Sequence, residues 1–190
     1  MLNKIVLENF KGYERLELDK LQRVNLIAGM NNTGKTSILE AIYLHHDRMA
    51  ADVLIAPLAR RGVQQFDLSA EYIFHPYFNN FNYEKPFRVI TEDSGHKNIA
   101  SYAMVVPENQ RLAINKNNFQ MNSVLSSAAV INNAIEITYT SDNKPQGKAL
   151  IQIVNNQIEM KVESVMTINR VVVFVPASAR GNSFTDAQFM

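Results

Sequence analysis

Apolar and polar positions follow two regimes along this chain, and the change falls near residue 65. In the first regime Ile5, Val6 and Leu7 centre an imperfect alternation over residues 2–8, which predicts a strand. Asn9-Phe10-Lys11-Gly12-Tyr13 is turn-like, and Leu16 and Leu18 alternating with Glu17 and Asp19 predict a second strand with one wet face. The two strands lie too close in sequence for a helical crossover, so an antiparallel hairpin is expected. Val24–Ala28 is a short, β-branched-rich apolar run and predicts a buried strand. Ser37–Leu44 then carries Ile38, Leu39, Ala41 and Ile42 at helical spacing and runs into His45-His46-Asp47-Arg48, which reads as a solvated helix end. Adjacent histidines on a helix diverge by about 100° and cannot share one metal as an i, i+4 pair could. Met49–Arg61 holds a second short apolar segment, broken by Pro57, with Arg60-Arg61 as an ordinary surface pair.

After Gln65 the pattern is that of β-structure. Phe66–Phe74 begins as an alternating strand, and His75–Tyr83 is an aromatic, Asn-rich loop. Only Lys85 and Arg88 supply positive charge beside those rings, so loop packing is expected rather than a base-stacking platform. Further strands are predicted at Phe87–Thr91, Ile99–Val106, Arg111–Ile114, Ala134–Thr140, Ala149–Val154, Ile158–Val162 and Arg170–Val175. Asp93-Ser94-Gly95, Pro107-Glu108-Asn109, Asp142-Asn143-Lys144-Pro145 and Asn155-Asn156 are the turn signals between them. Such short connections imply mostly antiparallel pairing. Ser123–Asn133 is small and polar, a short helix or a loop. Val171–Val175 is uninterrupted and apolar, as a buried central strand would be, and it opens into the loop Pro176–Asn182.

Chemistry concentrates where the first regime passes from strand to helix. Gly29-Met30-Asn31-Asn32-Thr33-Gly34-Lys35-Thr36 matches the phosphate-binding loop: Gly, four residues, Gly, Lys, Ser/Thr. Glycines at the ends let the backbone turn tightly and approach a ligand closely. Successive N–H groups, with the amides and dipole of the following helix, then form an anion site. Lys35 supplies a point charge for the outer phosphates, and the Thr36 hydroxyl is placed to ligate Mg²⁺. Gly29, Asn31, Asn32, Thr33, Gly34, Lys35, Thr36 and Ser37 are therefore the candidate nucleotide-binding residues, with a nucleoside triphosphate and Mg²⁺ as the ligands.

Composition adds boundaries rather than identity. A chain of 190 residues suits one domain, or one domain of two lobes. A formal net charge of +1 gives no global signature for nucleic acid. The absence of cysteine excludes disulfides and thiol-ligated metal centres. Lys4 and Glu8 interrupt what a signal peptide would need as an apolar core, and no stretch reaches the ~20 apolar residues of a membrane span. A soluble, cytoplasmic protein without a membrane partner is expected.

Strand, Asn9-Phe10-Lys11-Gly12-Tyr13, strand, phosphate loop and then Ile38-Leu39-Glu40-Ala41-Ile42 together resemble the start of the ABC-type ATPases. The nearest in appearance are the SMC, Rad50, RecF and OLD group, including the AAA15-like ATPases. Asn31 matches that group's Asn, while Asn32 stands where Gly is usual; Asn tolerates a left-handed backbone better than most residues. The resemblance implies that Lys11, or Gly12-Tyr13, lies near the nucleotide. It also implies an α/β P-loop NTPase fold, here an N-terminal lobe with a large, mostly antiparallel β portion and few helices. Residues 1–64 would form the nucleotide-binding core, 65–175 the β-rich portion and 176–190 the start of a helical segment. Pro176–Asn182 resembles the Ser-Ser-Arg turn of the AAA15 and OLD-like ATPases, which makes Ser178 and Arg180 further candidates.

The group's hydrolytic carboxylates follow an apolar strand ending in Asp-Glu, and a Ser-Gly-Gly signature from a second subunit clamps the γ-phosphate. Here no Gly-Gly occurs, and Phe87–Asp93, the nearest thing to the acidic strand, is interrupted by Arg88 and reads as a hairpin turn. Ser183-Phe184-Thr185-Asp186 is a near-match to a helix-start box with only four residues after it. The expectation is an ATP-binding lobe of an ABC-type ATPase acting in DNA repair, genome maintenance or antiphage defence. Hydrolysis would need a C-terminal half and a second ATPase head, and DNA stands as a further candidate partner. Two alternatives remain: a non-catalytic nucleotide-binding module, and a P-loop kinase, whose strands and helices would alternate throughout.

Overall fold

Tight turns with left-handed residues set the architecture. The computed structural model describes residues 1–48, 50, 52–60, 69–106, 134–154 and 157–164. Strands β1 (Leu2–Phe10) and β2 (Tyr13–Leu18) are joined through Lys11-Gly12, with Lys11 at φ +50° and Phe10 opposite Tyr13. Strands β3 (Phe87–Asp93) and β4 (His96–Val105) meet at Ser94-Gly95, φ +53° and +86°. Strands β5 (Ala134–Ser141) and β6 (Lys144–Val154) meet at Asp142-Asn143, φ +48° and +62°. Two consecutive left-handed residues match the right-handed twist of flanking strands, which is why Ser-Gly and Asp-Asn close these hairpins. With β7 (Gln157–Ser164) the strands form one seven-stranded sheet, β2-β1-β3-β4-β5-β6-β7, and every neighbouring pair is antiparallel. This is the few-helix, mostly antiparallel lobe that the sequence implies.

The helix α1 (Lys35–His46) lies on one face of this sheet. It buries Ile38, Ala41, Leu44 and His45, a stripe at helical spacing, over the alternating inward residues Phe87, Val89 and Thr91 of β3. Aromatic rings fill the space between: Phe87 stacks on Tyr102 at 4.4 Å and on Tyr77 at 5.8 Å, and meets Phe10 tilted and Phe78 edgewise. The Tyr102 hydroxyl donates to the Leu44 carbonyl at 2.8 Å, tying the helix to β4; burial pushes that phenol well above its ordinary pKa.

Several sequence expectations are corrected. The run Val24–Ala28 is not a strand; Val24 is 88% and Leu26 93% exposed. A buried strand of that composition needs neighbours on both sides, and among the described residues none pairs with it. The end of α1 is not solvated. His45 is buried with Nε2 2.9 Å from Thr91 Oγ1. Arg48 is buried too, its guanidinium donating to the His45 carbonyl and lying 3.5 Å from the Tyr139 ring centroid. It satisfies a terminal helix carbonyl where the dipole favours a cation, while burial lowers its pKa.

Pro57 does not break its segment but sits in the first turn of α2 (Ala56–Arg60), where its missing N–H is harmless. The described part of Phe66–Phe74 is helical rather than extended, as α3 (Ala70–Ile73). Its buried residues explain why: Ile73, Phe74, Tyr77 and Phe78 recur at helical, not alternate, spacing. The aromatic loop is packed as expected, with Tyr77 and Phe78 buried and His75 against Tyr83 at 4.2 Å. Phe66–Leu68, Arg61, Arg111–Ile114, Ser123–Asn133 and Arg170–Met190, with Ser178 and Arg180, lie outside the described residues.

Candidate phosphate-binding site

The loop Gly29–Thr36 closes on itself. Gly29 has φ +159°, and Asn32 and Gly34 are left-handed at φ +64° and +86°. Asn32 thus adopts the left-handed conformation that Asn accepts at modest cost. The Thr33 hydroxyl donates to the Met30 carbonyl at 2.8 Å and braces the arch from inside. Gly34 is the N-cap of α1 and makes no side-chain cap bond, and no acidic residue occupies the first turn. No side-chain cap and no carboxylate of that turn therefore compete with an anion for the helix N-terminal amides.

Lys35, the first residue of α1, folds back over the loop. Its ammonium donates to the Gly29 carbonyl at 2.7 Å and to the Met30 carbonyl. The charge therefore sits within the ring of the loop rather than out in solvent. Asn31, Asn32, Thr33 and Thr36 are exposed, while Gly34, Lys35 and Ser37 are half-buried. Thr36 lies on the same open end of the helix as Lys35 and is exposed. These features fit a polyphosphate: an ammonium held at the loop, uncapped amides and an open rim.

Lys11 enters the site's surroundings from the β1–β2 turn. Its ammonium pairs with the Glu40 carboxylate in the middle of α1 and lies 4.5 Å from the Tyr77 ring centroid. The Lys11 N–H donates to the Tyr77 carbonyl at 2.9 Å, and Asn79 Nδ2 donates to the Lys11 carbonyl at 2.7 Å. Lys11 is thus a tether between turn, helix and aromatic loop. Glu40, only 2% exposed, was missed in the sequence. The available signal was a carboxylate three and four residues before Tyr43 and Leu44, on the buried side of the helix. Tyr13, two residues on from Lys11, reaches the loop itself: its hydroxyl donates to the Thr33 carbonyl at 3.1 Å.

Among the described residues no group of three or more His, Asp or Glu side chains is arranged to hold a metal ion. No helix among them is long and apolar enough to cross a membrane.

The family model described as AAA ATPase domain matches residues 1–169. Over 44 residues the chain is 48% identical to an uncharacterized protein of Methanocaldococcus jannaschii, a stretch covering 23% of this chain and 20% of that protein. Over 43 residues it is 46% identical to the DNA replication and repair protein RecF of Bacillus thuringiensis and of Bacillus cereus, covering 23% of this chain and 12% of each RecF. The matched stretch is thus a small part of the length of these relatives.

Proposed function

We propose that this chain, which belongs to the AAA ATPase domain family, binds ATP with Mg²⁺ at Gly29–Ser37 and serves as the nucleotide-binding lobe of an ABC-type, RecF-like ATPase. The observation that carries this reading is the Lys35 ammonium, held by the Gly29 and Met30 carbonyls beside the uncapped start of α1. On binding, that ammonium exchanges its carbonyl partners for non-bridging phosphate oxygens, a charge-assisted and therefore stronger pairing. The Gly34, Lys35 and Thr36 amides donate to the same phosphates, and the Thr36 hydroxyl takes one position on the cation. Mg²⁺ supplies charge neutralisation across the outer phosphates.

Hydrolysis, in this reading, draws on groups beyond those described: a carboxylate for the cation and a Ser-Gly-Gly clamp, of which this sequence has no Gly-Gly. A C-terminal half and a second ATPase head would supply them; a role in DNA repair is supported by the likeness to the DNA replication and repair protein RecF, while genome maintenance or antiphage defence rests on the resemblance to the SMC, RecF and OLD group alone. The antiparallel sheet argues against a kinase of alternating strands and helices. Calorimetric titration with ATP, with and without Mg²⁺, alongside a phosphate-release assay tests this. The expected result is saturable binding, tightened by Mg²⁺, with phosphate release at background. Multiple turnover by this chain alone would contradict the division of labour.

A further inference from the structure

We propose that Tyr13 is a positioning residue for the phosphate loop: its phenol holds the Thr33–Gly34 peptide so that the Gly34 N–H faces the bound anion. The inference rests on reading Gly29–Ser37 as a polyphosphate site. Tyr13 lies twenty residues before the loop, yet among the described residues it is the one side chain from outside Gly29–Thr36 that hydrogen-bonds to it. The contact is close as well as polar. A Cβ built on Gly34 would collide with the Tyr13 hydroxyl and come within 2.8 Å of the ring carbon Cζ. Glycine is thus required at position 34 twice, once by φ +86° and once by the ring lying against it.

The consequence follows from peptide geometry. No peptide bond in the described residues is cis, and in a trans planar peptide the carbonyl and the next N–H point in opposite directions. Fixing the Thr33 carbonyl against Tyr13 therefore turns the Gly34 N–H away from the ring. The base of the ring is itself fixed: Tyr13 opens β2 opposite Phe10, and the turn before it is held by the Lys11–Glu40 pair and by Asn79. Without that hold the Thr33–Gly34 peptide is free to rotate on the glycine side, and its amide is lost to the anion for part of the time.

Tyr13→Phe keeps the ring and removes only the donor. For the 190-residue chain, we expect affinity for ATP and for inorganic tripolyphosphate to fall together, about three- to tenfold, as for one lost hydrogen bond. The Gly34 amide resonance of the ligand-free variant should broaden or shift while those of β1 and the middle of α1 stay in place. Unchanged tripolyphosphate affinity would overturn the inference, and so would a loss confined to ATP, which would mark a contact with the base. If the unaltered chain bound neither ligand, the reading of Gly29–Ser37 would fail separately. An unmoved Gly34 resonance in Tyr13→Phe would then overturn the role of Tyr13 on its own.

Discussion

Replacing Lys35 by Ala is expected to remove ATP binding while leaving the fold in place. The ammonium is the one side-chain cation that this loop keeps inside its own ring, on the carbonyls of Gly29 and Met30. Charge-assisted hydrogen bonds contribute about 1.5–3 kcal/mol each, and two or more to phosphate oxygens are lost together. At about 1.4 kcal/mol per tenfold, affinity should drop by roughly 10²–10⁴. The residue is half-buried at the start of α1 and its ammonium is spent on loop carbonyls, so the melting temperature should hardly change. Lys35→Arg should rescue poorly, because a planar guanidinium cannot replace a compact ammonium between two nearby carbonyls. Calorimetry on the three proteins decides this, and retained micromolar binding by Lys35→Ala would contradict the assignment.

The second large effect concerns stability. Lys11→Met is expected to destabilise the chain by about 3 kcal/mol, since it takes the ammonium away from a carboxylate that stays buried. Glu40 is 2% exposed on the inner side of α1, where water cannot replace the ammonium. For a chain of this size the melting temperature should fall by roughly 6–12 °C. Adding Glu40→Leu should recover most of the loss, because an apolar pair of similar volume avoids the desolvation cost of both charges. Thermal denaturation of the single and double variants measures both. If Lys11→Met melted normally but lost ATP affinity, Lys11 would be a phosphate ligand rather than a tether.

Local features were the legible ones. Ser94-Gly95 and Asp142-Asn143 are short-range hairpin signals, and both close tight antiparallel turns at the expected places. The phosphate-loop pattern is also local: its glycines, its Asn32 and the helix after it fall within one stretch of chain. What stayed hidden depends on distant partners. Val24 and Leu26 look buried in sequence because apolar β-branched runs usually are; in the structure they are exposed for want of a paired neighbour among the described residues. His45 and Arg48 look solvated because they are polar at a helix end; Thr91 and Tyr139, far along the chain, are what accept them. Likewise the Lys11–Glu40 pair spans 29 residues and the Tyr13–Thr33 bond 20, distances over which no periodicity speaks.

The claim that Gly29–Ser37 is a triphosphate cradle is tested most directly by backbone amide resonances during an ATP titration. The account predicts saturable shifts centred on Gly29 and Gly34–Ser37, reproduced by tripolyphosphate and nearly absent with AMP. Resonances of that stretch that stay fixed at saturating ATP would contradict it, as would shifts that gather elsewhere in the chain.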